Sequence, residues 1–127
     1  MSRVLSLFKE NISLYSRFYD VKDISIRVHS SHFLETPSDR DVAWANPNDR
    51  TVNLIKRATE FSKESINALL RHELAHLCDV FVDKENREQR ADDIAFLVCG
   101  DRIRYDKTLI QTLDCSGIFP RPDFLPK

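Results

Sequence analysis

Glycine is almost missing, with two residues in a chain of 127. Phosphate-binding loops and dinucleotide fingerprints need several glycines for close backbone approach, so both are excluded. Cysteine is sparse and odd in number: Cys78, Cys99 and Cys115 are widely spaced and form no C-x-x-C pair. Such a set fits reduced thiols rather than a disulfide framework. No apolar run approaches the length of a membrane span, and Met1-Ser2-Arg3-Val4 is not followed by a signal-peptide core. A cytoplasmic protein that does not engage a membrane is the expectation. Excess charge is also lacking, at a formal net charge of -1, and there is no stripe of basic and aromatic residues. A nucleic-acid partner is therefore not expected. Internal repeats and low-complexity stretches are absent too, and the length suits a single domain over residues 1–127 with one modest core.

What is present is organised around Arg71-His72-Glu73-Leu74-Ala75-His76-Leu77. Residues four apart on a helix stand one turn above each other on the same face, so His72 and His76 can offer two imidazoles to one ion. Two such histidines with a glutamate between them form the helix-borne half of a zinc hydrolase centre. At roughly 100° per residue, Ile66, Leu70, Leu74, Leu77 and Phe81 fall on one stripe and the histidines on the opposite face. One side is placed to meet a core while the other lines a cleft.

The flanking chain reads as alternating small elements. Leu5, Phe8, Ile12, Tyr15 and Tyr19 recur at helical spacing and predict an amphipathic helix over about residues 3–19. Ile24-Ser25-Ile26-Arg27-Val28 alternates with a period of two and predicts a strand. Val42-Ala43-Trp44-Ala45 and Thr51-Val52-Asn53-Leu54-Ile55 predict two further strands, joined as a hairpin through Asn46-Pro47-Asn48-Asp49-Arg50. Ser62 is the expected N-cap of the motif helix, with Glu64 favourable in its first turn, and the helix is expected to reach about Val80 or Val82. Asn86 is the candidate cap of a next helix that runs to Cys99 and stops at Gly100. Residues 102–113 suggest another short helix, and the proline-rich tail at 114–127 should be extended.

A catalytic zinc takes three protein ligands and keeps one position open. No histidine follows His76, so the third ligand must be an acid or a thiol. Glu88 and Asp92 lead, because a short turn would fold their helix back against the motif helix. A motif helix that stops soon after Asp79 brings Glu88 level with His76, and one that runs on to Val82 favours Asp92. Cys78 points away from the histidine face, and His29 and His32 are isolated histidines of the kind that seldom bind metal.

His72-Glu73-Leu74-Ala75-His76 followed by Glu88-x-x-Ala91-Asp92-x-x-Ala95 resembles the gluzincin type of zincin metallopeptidase, especially the HtpX-like, ImmA/IrrE-like and minigluzincin families. The resemblance covers about residues 42–96, with a shorter step from His76 to Glu88 than most gluzincins have. It implies an α+β, minimal zincin-like domain: a small, mostly antiparallel sheet packed with an N-terminal helix, the H-E-x-x-H helix and a following glutamate helix. It implies Zn²⁺ as cofactor with His72, His76 and Glu88 as ligands, Asp92 as the partner that orients a ligating histidine, and a protein or peptide substrate. In that picture Glu73 is the general base of peptide hydrolysis, with Tyr105, Arg102 and Arg104 as candidates near the developing oxyanion. Substrate would add as a strand at 42–45 or 51–55. The tail would be placed to lie across the cleft as a latency segment, through Asp114 or Cys115. SprT-like proteases are less similar, since they use a third histidine. The alternative is a protein-binding module that keeps the fold and a zinc site with little or no proteolysis.

Overall fold

The computed structural model describes residues 2–29, 42–80 and 85–103. His32, Phe81, Val82, Arg104, Tyr105, most of the short helix expected over 102–113 and the tail at 114–127 lie outside them. The fold is α+β, with three α-helices and a three-stranded mixed sheet among the described residues.

Helix α1 spans Ser2–Tyr15 and ends earlier than its periodicity predicts. At its end the Ser16 hydroxyl donates to the Ser13 carbonyl at 2.8 Å, and Phe18 and Tyr19 both donate back to the Tyr15 carbonyl at 3.0 Å, which tightens the chain into a turn. The buried stripe is Val4, Leu7, Phe8, Asn11 and Tyr15, whereas Leu5 is exposed. The core face is thus rotated from the one that apolar spacing picks out, because a polar residue, Asn11, stands in its middle.

Strands β1 (Ser25–His29), β2 (Ala43–Asn46) and β3 (Thr51–Ile55) form a sheet in the order β1-β3-β2. β2 and β3 make the expected antiparallel hairpin, with Trp44 opposite Asn53. Its turn is held by the Asn48 amide donating to Asn46 Oδ1 at 2.9 Å, and Arg50 takes up the left-handed conformation at φ 58°. β1 lies parallel to β3, so the sheet is mixed rather than mostly antiparallel. The central place of β3 also removes 51–55 as an edge for substrate, and among the described residues β2 is the strand of the hairpin that lies at the edge. Every residue of β3 is buried. Its polar members are supplied with partners: Thr51 donates to Asp49 at 2.5 Å, and Asn53 donates to the Thr51 hydroxyl at 3.0 Å and pairs with His29 at 2.8 Å.

A 3₁₀ turn at Lys56–Glu60 leads from β3 to α2, which spans Lys63–Cys78. Ser62 caps α2 as expected, its side chain accepting from the Ser65 amide at 3.2 Å. Ile66, Leu70, Leu74 and Leu77 are buried in the common core, as their stripe predicts. Helix α3 spans Arg87–Cys99 and stops at Gly100, whose φ of 82° is a left-handed conformation that suits glycine. Ala91 and Ala95, both fully buried, let it lie close to α2. No helix among the described residues is long and apolar enough to cross a membrane.

Candidate metal centre

α2 ends at Cys78, and Asp79 follows in extended conformation, its amide reaching back to the His76 carbonyl at 3.3 Å. Of the two helix lengths weighed above, this is the shorter, the one that sets Glu88 level with His76. α3 then returns along α2 and brings Glu88, in its first turn, against the two histidines.

The three side chains meet atom to atom. His72 Nε2 lies 2.6 Å from Glu88 Oε2, His76 Nε2 lies 3.2 Å from the same oxygen, and the two Nε2 atoms are 3.0 Å apart. Asp92 stands elsewhere. Its Oδ1 is 2.8 Å from Nδ1 of His72, on the far side of the ring, so Asp92 supports His72 and does not join the converging atoms. His72 and Asp92 are buried, while the Glu88 side chain is 35 % exposed.

Proton bookkeeping makes this triangle informative. An ionised carboxylate only accepts, and each Nε2 carries either one proton or one lone pair. Whichever way protons are placed, one side of the triangle then faces two N–H groups or two lone pairs against each other. A single cation meets all three lone pairs at once. Tetrahedral zinc, with bonds of about 2.0–2.1 Å, sets such donors roughly 3.3 Å apart, a little wider than this triangle. The donor set fits a divalent ion, and His72, His76 and Glu88 can hold one.

The electrostatics of the group without an ion point the same way. Burial by itself lowers the pKa of His72, but hydrogen bonds to Asp92 and Glu88, together with the charge of Glu73, raise it overall. Burial by itself raises the pKa of Glu88, and the hydrogen bonds to His72 and His76 outweigh it and hold the carboxyl well below the usual range. A positive charge is thus favoured at the point where the three side chains meet, as a proton or as a metal ion.

The other candidates fall outside this group. Glu73, between the histidines in sequence, is buried at 4 % exposure. His29 pairs with Asn53 and stacks on Trp44, with ring centroids 5.0 Å apart, and Trp44 is a core residue. Cys78 is buried, and burial pushes its thiol up to about 11. Arg102 pairs with Asp93 at 3.1 Å and lies over the Phe96 ring. Two residues that motif spacing does not reveal bear on the site through the end of α2. Arg50 donates to the Leu77 carbonyl at 3.0 Å, and Arg90 donates to Asp79 at 2.9 Å. Their partners are distant in sequence, and no local pattern marks them.

No protein-family model matches the chain. No curated protein matches it either. Among solved structures, the fold is similar to the metallopeptidase zymogen of Pyrococcus abyssi abylysin, at 16 % sequence identity and a TM-score of 0.46, over 79 % of this chain and 98 % of that one.

Proposed function

We propose that this chain, as one domain over residues 1–127, is a zinc-dependent peptidase whose ion is held by His72, His76 and Glu88. The observation that carries the reading is the triangle of Nε2, Nε2 and Oε2, whose sides of 2.6, 3.0 and 3.2 Å no set of protons satisfies while Glu88 is ionised. The flanking Glu73 and a donor set of three support a catalytic site over a structural one, since structural zinc is usually enclosed by four protein ligands.

A divalent ion in this ligand set supplies Lewis acidity and acidifies water. The protein's own groups do the rest. Asp92 accepts the proton on Nδ1 of His72 and so turns the Nε2 lone pair toward the centre. Glu73 takes a proton from the attacking water and passes it to the leaving amine. The outer edge of β2 receives the substrate as an added strand, where backbone hydrogen bonds are sequence-tolerant.

The test combines anomalous scattering at the metal edge with cleavage of casein or a peptide library by wild type and Glu73→Gln. Both proteins are expected to bind zinc, and cleavage is expected to fall by about 10² or more in the variant. Unchanged cleavage by Glu73→Gln ends the assignment of the base. A wild type that binds zinc and cleaves nothing supports the protein-binding module instead. Binding of another divalent ion in preference would change the cofactor, since imidazole and carboxylate suit several.

A further inference from the structure

The start of α3 presents a problem that its sequence does not solve locally. Glu88 lies in the first turn, where backbone amides lack intrahelical partners and helices fray. A side-chain cap normally secures that turn. Here the N-cap position is Asn86, in left-handed conformation at φ 60°, and its side chain makes no capping bond. The turn that carries one of the three converging atoms therefore needs another anchor.

Arg90 supplies it. Its amide closes the first turn on the Asn86 carbonyl at 2.8 Å. Its guanidinium then reaches out of the helix in two directions, with Nη1 donating to the Glu85 carbonyl at 2.7 Å and Nε to Asp79 Oδ2 at 2.9 Å. Asp79 is the C-cap residue of α2, three positions after His76, and its side chain is 4 % exposed. The pair thus ties the end of the helix that carries His76 to the start of the helix that carries Glu88. From the other side Arg50, in the hairpin turn, holds the last turn of α2 by donating to the Leu77 carbonyl, while Asp23 and the Asp20 carbonyl fix its guanidinium.

We propose that Asp79 and Arg90 form a positioning clasp that sets Glu88 against His72 and His76 and so determines the metal affinity of the centre. The fork geometry matters as much as the charge, because the planar guanidinium serves Asp79 and the Glu85 carbonyl at once from fixed directions. This inference rests on the metal reading above.

The experiment measures zinc affinity of the full chain by competition with a chromophoric chelator, together with the unfolding midpoint, for wild type, Arg90→Lys, Arg90→Met, Asp79→Asn and Arg27→Gln. Arg90→Met and Asp79→Asn are expected to bind zinc about tenfold or more weakly, and Arg90→Lys to recover part of the loss. Arg27→Gln breaks an exposed ion pair with Asp49, away from both helices, and is expected to change nothing. Lower midpoints with affinities within about twofold of wild type would mean that the clasp only stabilises the fold, and would overturn the proposal. Should Arg90→Met fail to fold, Arg90→Lys and Asp79→Asn decide by the same criterion. Hydrogen exchange of amides 88–91 in the metal-free proteins separates the two readings. Absence of zinc binding by wild type sinks the metal centre. Exchange that is no faster in Arg90→Lys or Asp79→Asn than in wild type sinks the clasp, whether or not zinc binds.

Discussion

Asp92 Oδ1 sits 2.8 Å from Nδ1 of His72, with both side chains out of solvent. That contact fixes the tautomer and ring angle of an imidazole that is wholly buried. Metal ligands held by such a partner typically lose 10–100-fold in affinity when it is removed. Asp92→Ala is expected to weaken zinc binding by about that factor, and Asp92→Asn to weaken it less, because an amide oxygen still accepts from the ring. Chelator competition on both variants checks this. Equal affinity in wild type and Asp92→Ala would remove Asp92 from the centre.

Zinc should also be visible in the folding equilibrium. An ion bound only by the folded chain adds about 2.7 kcal/mol of stability at one hundred times its dissociation constant. Urea titrations with zinc and with a chelator should differ by that order in wild type. Glu88→Gln keeps the side chain's shape and loses its charge, so the difference should shrink. An equal difference in wild type and Glu88→Gln would show that Glu88 is not a ligand.

Much of this arrangement is written locally in the chain. The run Asn46 to Arg50 announces its turn, Ser62 its cap, and Gly100 the helix end that only a residue at ease with φ 82° provides. Helical spacing is itself a geometric rule, so it names His72 and His76, and it puts Glu88 and Asp92 forward together as acids of the returning helix. What escaped depends on contacts between distant residues. The last turn of α2 is settled by Arg50 and Arg90 from distant segments, so sequence spacing alone does not choose between Glu88 and Asp92. Strand β3 is legible as a strand but not as one buried on both faces, which follows from Thr51 and Asn53 finding polar partners inside. The parallel pairing of β1 with β3 is set by packing across the domain, and a strand's own residues do not reveal its neighbour.

Alkaline pH should expose the cost of burying Tyr15. Its hydroxyl donates to the Arg71 carbonyl at 2.6 Å, and burial raises its pKa far above the ordinary value of 10.0, with Cys99 and Cys78 adding to the rise and Arg71 opposing it. Above pH 10 the unfolded chain therefore sheds this proton while the folded chain keeps it. The native state then binds more protons, and stability falls as pH rises, by up to about 1.4 kcal/mol per pH unit for one such group. Tyr15→Phe starts from lower stability at neutral pH, because the hydrogen bond is lost, but should show a shallower decline above pH 10. Urea unfolding at a series of pH values measures both slopes, and identical slopes would rule out Tyr15 as their source.

Asn11 is the most sharply defined test of how α1 is set on α2. It is 1 % exposed and works in both directions, donating to the Asn67 side chain at 2.8 Å and the Leu7 carbonyl at 2.9 Å, and accepting from Arg71 Nε at 2.9 Å. Asn67 and Arg71 are one helical turn apart, so a slide of α1 by a single residue would break both contacts. Asn11→Leu would add apolar surface to a core position, which by area alone favours folding. It would also strip the partners from Arg71 Nε and the Asn67 carbonyl, both half-buried, at about 1 kcal/mol each, the lower end for a group left unmet. The second effect should win, with a net loss of roughly 1–2 kcal/mol. A double-mutant cycle with Asn67→Ala isolates the pair: coupling of at least about 0.5 kcal/mol is expected, whereas strict additivity would mean that apolar packing alone sets the register.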